Sequence, residues 1–173
     1  MFTLIVGGAG SGKSEYAEAW VSGLDGRRYY AAAMEPFGAE ARARIVRHRR
    51  LRAGKGFITV ERFTDMGNLP VPADANVLLE DLGNLLANEM YSPAGNGPDA
   101  ALSGVLALAE KCRHLTAVTN EIGSGGSRYE GDTLRYMEEL GRLNCLLAAR
   151  ADRVVEVVCG IPRVLKGGED VGD

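Results

Sequence analysis

Residues 7–14 read GGAGSGKS, and this stretch decides how the rest of the chain is interpreted. It matches the pattern G-x-x-x-x-G-K-[ST], in which glycines let successive backbone N–H groups surround a phosphate. An apolar run at 2–6 precedes it as a strand, and a helical pattern follows it, as this motif requires. The predicted phosphate-binding residues are Gly7, Gly8, Ala9, Gly10, Ser11, Gly12, Lys13 and Ser14. Lys13 is expected to act on the β- and γ-phosphates in catalysis, and Ser14 to hold Mg²⁺.

Short apolar runs and longer helical patterns alternate along the remainder of the chain. We predict strands at 2–6, 28–33, 57–61, 76–80, 115–120 and 153–159, and helices at 13–24, 39–52, 81–91, 99–112 and 131–150. This alternation is typical of a mostly parallel sheet with helices on both faces. With the glycine loop, it predicts a single P-loop NTPase-like α/β domain over 1–165, followed by a frayed tail at 166–173.

Composition excludes several classes of protein. A formal charge of -3 and a pI near 5.5 predict no general attraction to nucleic acid or to an anionic membrane. The three cysteines are widely spaced and form no metal-binding or disulfide pattern, which favours the reducing cytoplasm. The first residues resemble no signal peptide, and no apolar run is long enough for a membrane span.

Two acids stand at the end of the predicted strand at 76–80. A magnesium site beside a phosphate loop needs a carboxylate at a neighbouring strand end, and Glu80 and Asp81 are both candidates. We favour Glu80 as the second Mg²⁺ ligand. Both acids also precede a helix, where they could instead act as N-terminal acids.

The helix at 39–52 carries six arginines between 42 and 52 together with one histidine, His48. At helical spacing His48 shares a face with Arg44 and Arg52, and we expect the surrounding positive charge to disfavour protonation of the imidazole. A neutral imidazole among guanidinium groups could attack phosphorus as a covalent nucleophile. On these residues alone, a solvated basic helix in which His48 is incidental is slightly favoured, because runs of charge are usually solvated faces.

Several separated motifs together resemble one family. They are the loop at 7–14, Arg44-Ile45 with His48 and Arg52, the strand end VLLE at 77–80, and Val118 to Gly123, which reads VTNEIG. In this order and spacing the chain resembles, over residues 1–160, the bifunctional adenosylcobinamide kinase and adenosylcobinamide-phosphate guanylyltransferase family.

The resemblance implies a two-step enzyme of cobalamin nucleotide-loop assembly. ATP or GTP phosphorylates adenosylcobinamide, and GTP then gives GMP to a histidine that matches His48. Adenosylcobinamide phosphate collects this GMP as adenosylcobinamide-GDP. The resemblance further implies a homotrimer and the nucleotide-binding residues Ala32, Ala33, Met34, Arg49, Arg50, Leu51, Arg52, Glu61 and Glu80.

The sequence departs from the family pattern at three places. Gly10 stands where arginine is common, Ala33 stands where threonine is common, and the features around residues 127–138 differ. The changed region at 127–138 leaves a kinase alone as one alternative to the full bifunctional enzyme. A second alternative, of another class, is a nucleotide-switched binding protein that docks an anionic partner on its basic helix.

Overall fold

The structure is a computed structural model that describes residues 1–36, 38–122 and 130–168, without the side chains of Glu40, Arg44 and Leu51. The five α-helices described are α1 (Lys13–Ser22), α2 (Gly38–Arg52), α3 (Leu82–Tyr91), α4 (Pro98–Lys111) and α5 (Gly131–Arg150). The strands are β1 (Phe2–Gly7), β2 (Arg28–Ala32), β3 (Phe57–Glu61), β4 (Asn76–Glu80), β5 (His114–Asn120), β6 (Arg153–Val158) and β7 (Ile161–Lys166). Every predicted helix and strand is present, with ends within two residues of the prediction.

These strands form one sheet in the order β3-β2-β4-β5-β1-β6-β7. All neighbouring pairs are parallel except β6 and β7, which run antiparallel. The predicted α/β class with a mostly parallel sheet is therefore confirmed. Every residue of the central strand β4 is buried, which explains its unbroken apolar run from Val77 to Leu79.

Helices cover both faces of the sheet, as predicted. On one face α1 packs Ala17 and Val21 against the buried side chains of Ile5, Leu78 and Val155. On the other face α3, α4 and α5 form the larger core, which includes Leu85, Val105 and Leu143. The described side chains of α2 appear in neither buried apolar cluster, and several of them instead make the polar contacts described below.

The parallel strands bring several predicted site residues to one edge of the sheet. Ala32 is in register with both Glu61 and Glu80, and Gly7 is in register with Asn120. Ligands bind outside the carboxyl ends of strands in open α/β sheets. The strand order therefore assembles a site from segments that are far apart in sequence.

The edge strand β7 was not predicted. All six of its residues are exposed. It contains Pro162, which has no backbone N–H to donate and is therefore tolerated on an edge strand. Lys166, placed by the sequence at the start of the tail, is the last residue of this strand and donates to the carbonyl oxygens of Ala148 and Ala149. The final residues, 169–173, lie outside the described part of the chain.

Candidate nucleotide and phosphoryl-transfer site

The glycine loop joins β1 to α1 in the geometry that a phosphate site needs. Gly10 and Gly12 adopt left-handed φ angles of 70° and 89°, which other residues rarely adopt. Gly12 is also the N-cap of α1, so the positive end of that helix opens onto the loop. The Lys13 ammonium donates a hydrogen bond of 3.0 Å to the carbonyl oxygen of Gly8 and thereby lies across the loop.

Glu80 lies at the centre of the site. Its Oε1 accepts a hydrogen bond from the Ser14 hydroxyl, and its Oε2 accepts one of 3.1 Å from the Tyr30 hydroxyl. The imidazole Nδ1 of His48 lies 3.5 Å from the same Oε2. This separation is at the long limit for a hydrogen bond, and such contacts often tighten only when a ligand binds. The phosphate loop and the helix that carries the histidine therefore meet at one buried carboxylate.

The surroundings of Glu80 keep it ionised. Burial acts to raise the pKa of this carboxyl group, but the hydrogen-bonding and charge interactions with His48, followed by hydrogen bonds from Ser14 and Tyr30, outweigh burial and hold the pKa below its usual 4.5. Burial and the negative charge of Glu80 also raise the pKa of Tyr30 far above its usual value. Tyr30 is therefore a neutral donor and Glu80 an ionised acceptor at neutral pH.

One face of α2 is directed at this carboxylate. The guanidinium carbon of Arg52 lies 3.2 Å from the centre of the Tyr30 ring, a cation–π contact, and only 7% of Arg52 is exposed. Its Nη1 is buried and has no hydrogen-bond partner among the described residues. Arg49 donates a hydrogen bond of 2.7 Å to Oε1 of Glu61 at the end of β3. These contacts of Arg49 and Arg52 hold the face of α2 that carries His48 against the strand ends.

One cavity joins the phosphate end of the site to the ends of β2 and β3. It is lined by Lys13, Ser14, Tyr30, Ala32, Met34, Ile45, His48, Arg49, Arg52, Thr59, Glu61, Glu80, Asp81 and Asn120. The predicted site residues Lys13, Ser14, Ala32, Met34, His48, Arg49, Arg52, Glu61 and Glu80 are thus brought together. The glycine-loop residues 7–12 adjoin this cavity through the turn that ends at Lys13.

Two residues that the resemblance implies are placed differently, and the side chain of a third is not described. Ala33 is fully buried, and its backbone N–H donates to the carbonyl oxygen of Glu80, so it joins strand ends and does not line the cavity. Arg50 lies on the outer surface of α2, in a shallow groove with Arg42 and Val46. The side chain of Leu51, like those of Arg44 and of residues 127 and 128, lies outside the described part of the structure.

Sequence reasoning missed Tyr30 and Thr59 as cavity residues. Tyr30 precedes Ala32 by two positions on β2, so strand periodicity could have placed both on one face. Thr59 similarly precedes Glu61 by two positions on β3. Asp81, weighed as a metal ligand, is the N-cap of α3 and accepts a hydrogen bond of 2.7 Å from the backbone N–H of Asn84.

A second missed contact ties α1 to the segment after α2. The Lys55 ammonium lies 2.6 Å from Oε2 of Glu18, a carboxylate with only 1% of its surface exposed. Glu18 also places a carboxylate oxygen near His48 and Glu80, and one potential metal-ligand atom from each of the three lies within 4.8 Å of the others. This buried cluster was invisible in sequence because its members come from α1, α2 and β4.

The two predicted magnesium ligands fit a hard cation. The Ser14 hydroxyl and the Glu80 carboxylate are in direct contact, and oxygen ligands of these two kinds are those that Mg²⁺ prefers.

In the described part of the chain, no helix combines the length and apolar character that crossing a bilayer requires.

Comparisons with known proteins identify the family of this chain. A family model described as "Cobinamide kinase / cobinamide phosphate guanyltransferase" matches residues 3–165. The Escherichia coli (strain K12) protein "Bifunctional adenosylcobalamin biosynthesis protein CobU" is 33% identical over an alignment that covers 93% of this chain and 97% of the relative. The Pseudomonas aeruginosa protein "Bifunctional adenosylcobalamin biosynthesis protein CobP" is 31% identical, with coverages of 96% and 98%.

Solved structures resemble the fold at low sequence identity. A protein of Pyrococcus horikoshii OT3 superposes with a TM-score of 0.57 at 9% identity and covers 98% of this chain and 87% of its own. A prototypical ATPase from the type III secretion system of pathogenic bacteria superposes with a TM-score of 0.51 at 11% identity, over 90% of this chain and 50% of its own. These similarities support the fold alone.

Proposed function

The chain belongs to the cobinamide kinase / cobinamide phosphate guanyltransferase family, and we propose from this how its residues carry out the two reactions. It acts as a kinase and a guanylyltransferase in adenosylcobalamin biosynthesis. In the first reaction a nucleoside triphosphate, ATP or GTP, phosphorylates adenosylcobinamide. In the second, GMP passes from GTP through His48 to adenosylcobinamide phosphate.

His48 is the nucleophile of the second reaction. A proton on Nδ1 that faces Glu80 leaves the lone pair on Nε2 available for attack on the α-phosphorus of GTP. A nitrogen–phosphorus bond forms as the bond from the α-phosphorus to the bridging oxygen breaks, and pyrophosphate leaves with that electron pair. The terminal phosphate of the cobinamide then attacks the same phosphorus and releases His48. Glu80 stabilises the positive charge that the ring carries while GMP is attached.

Lys13 and Arg52 supply the positive charge that both reactions need. Phosphoryl transfer depends mainly on positioning and on neutralising charge. Lys13 stands in the phosphate loop, and the buried Nη1 of Arg52 can donate to a phosphate oxygen without giving up another described partner. Because Arg52 stacks on Tyr30, its guanidinium is held in place before the substrate arrives.

Ser14 and Glu80 would hold Mg²⁺ beside the phosphates. When bound, the ion neutralises charge on the triphosphate. The same Glu80 carboxylate contacts His48, so the cation site and the nucleophile share one anchoring residue.

Guanine occupies the end of the cavity formed by β2 and β3. Glu61 can accept hydrogen bonds from the donor groups of a guanine edge, and its partner Arg49 can donate to an acceptor on the same edge. Ala32 and Met34 line this end and offer apolar surface to the ring. These are the positions that the family resemblance implies for the guanine nucleotide.

The observation that carries this proposal is the contact of His48 with Glu80 beside Ser14, in one cavity with Lys13. Incubation with GTP and Mg²⁺ should increase the intact mass of the protein by one GMP, through a bond that is labile in acid and stable in base. The variant His48→Ala should show no increase.

The chain contains only one other histidine, His114, which provides a matched control. His114 begins β5 and does not line the cavity, so His114→Ala should take up GMP as the unmodified protein does. Uptake by His48→Ala, or loss of uptake in His114→Ala, would contradict the assignment.

We also propose a homotrimer in the cytoplasm. Exposed apolar side chains, Val46 on the outer surface of α2 and Ile58 on the edge strand β3, support an interface between subunits. A cytoplasmic location is supported by the nucleotide substrates and by three free cysteines.

A further inference from the structure

The position of His48 constrains how GTP can lie. In phosphate loops of this kind, the lysine reaches the β- and γ-phosphates, so Lys13 and the adjacent Ser14 mark the end where the γ-phosphate usually lies. His48 contacts Glu80, which is bonded to Ser14, and therefore stands at that same end. GTP that presents its α-phosphorus to His48 must direct its base into the cavity toward Thr59 and Glu61.

The kinase reaction needs the opposite arrangement. There the γ-phosphate must reach the Ser14 and Glu80 end, where an acceptor hydroxyl can approach from the cavity. The α-phosphate and the nucleoside then extend past the glycine loop, away from His48. The base of the phosphate donor must therefore rest on a different part of the protein from the guanine of GMP transfer.

The turn between β6 and β7 borders the glycine loop. The backbone N–H of Gly160 donates a hydrogen bond of 2.8 Å to the carbonyl oxygen of Ser11. A Cβ atom on Gly12 would lie 3.1 Å from the Cα atom of Gly160, so the two backbones are nearly in contact. The turn is built by Cys159 and Gly160, with φ angles of 51° and 78°, as expected for a tight hairpin.

This turn presents apolar surface that the rest of the described chain does not cover. Val158 and Ile161 are paired across β6 and β7, with 52% and 70% of their surfaces exposed. Exposed apolar side chains beside a ligand loop are typical of a binding surface, because a flat aromatic ligand gains by covering them. Because these two side chains lie beside the phosphate loop, the flat ligand that covers them is expected to be the base of a nucleotide whose phosphates occupy that loop.

We propose that the turn at 158–161 binds the purine base of the phosphate donor in the kinase reaction. The proposal rests on the two reactions given above and adds that one phosphate loop accepts nucleotides in two opposite orientations. The four residues of the turn carry no charged side chain, whereas the cavity end has Arg49 and Glu61. The turn should therefore accept adenine and guanine alike, while the cavity selects guanine.

The variant Ile161→Ser tests this surface. It should raise the KM for ATP in cobinamide phosphorylation by about tenfold, the effect of losing one well-packed apolar contact. The rate of GMP attachment to His48 should stay within about twofold of the unmodified protein, since that GTP lies in the cavity.

Leu165→Ser is the matched control. Leu165 lies on the same strand and is 53% exposed, but it is at the far end of the strand from the turn. The KM of the Leu165→Ser variant for ATP should therefore equal that of the unmodified protein. Equal slowing of both reactions by Ile161→Ser, or no effect on either, would overturn the proposal. A loss of oligomeric mass in both variants, measured by light scattering, would show instead that β7 is a subunit interface.

Photolabelling with 8-azido-ATP locates the base without a substitution. The label should map to the peptide that contains residues 158–161. Label confined to the peptides that contain Thr59 and Glu61 would overturn the proposal. Absence of any cobinamide phosphorylation by the unmodified protein would count against the proposed function, whereas the photolabel would still report where the base lies.

Discussion

Replacing Glu80 by glutamine isolates the contact that joins the phosphate loop to His48. Glutamine has nearly the same size, and its side-chain oxygen can still accept the hydrogen bond from Ser14. The amide nitrogen that replaces Oε2 can no longer accept from Tyr30 or hold a proton on Nδ1 of His48. The ring should therefore lose both its preferred tautomer and the negative charge that stabilises the GMP-bound state.

The size of the effect follows from the geometry. A hydrogen bond to a charged group contributes about 1.5–3 kcal/mol. In the structure Nδ1 lies 3.5 Å from Oε2 and makes no hydrogen bond to any described residue, so the lower end of that range applies, to a bond that forms as the contact tightens on GTP binding. About 1.4 kcal/mol corresponds to a tenfold change in rate, so GMP attachment should slow by roughly tenfold.

The assay is the time course of the increase in intact mass after mixing with GTP and Mg²⁺. Glu89→Gln is a suitable control, because Glu89 is also buried but accepts hydrogen bonds from the backbone N–H groups of Asp65 and Asn96, outside the cavity. That variant should lose stability without slowing GMP attachment per folded molecule. Attachment of GMP by Glu80→Gln at the unmodified rate, or equal slowing by Glu89→Gln, would refute the role assigned to Glu80.

Two further predictions concern stability. Lys55→Met should lower the free energy of unfolding, because it leaves the buried Glu18 carboxylate without its partner. The loss should be about 2–3 kcal/mol, below the roughly 3–5 kcal/mol of a fully buried pair, because 37% of the Lys55 side chain is exposed. Urea unfolding measures this loss, and the double variant with Glu18→Gln should recover part of it. An unchanged urea midpoint would show that the ion pair between Lys55 and Glu18 does not stabilise the fold. Because the pKa of Glu80 is lowered by folding, its stabilising contribution is present above the usual 4.5 and is lost as the pH falls below that value. The stability gap between the unmodified protein and Glu80→Gln should therefore narrow on acidification below about pH 4.5, and a gap that widens there would contradict the sign of the shift.

The order of helices and strands could be predicted because it depends on local periodicity. Strands such as Asn76–Glu80 are continuous apolar runs, and helices such as Gly131–Arg150 repeat apolar residues at helical spacing. The strand β7 escaped prediction because its residues are all exposed and show no alternation. The spacing of apolar residues indicates which face of a strand is buried, and a strand that is exposed on both faces shows no such spacing.

The sequence by itself determined the phosphate loop at 7–14, because such a loop is formed by backbone groups that are adjacent along the chain. It also determined that His48 belongs to a family motif, because that motif is defined by fixed spacing along the chain. Only the tertiary structure decided that Glu80 joins Ser14, Tyr30 and His48, that Arg52 stacks on Tyr30, and that Gly160 borders the loop. These contacts cross from one strand or helix to another, and their distances are set by strand order and register, which no spacing along the chain encodes.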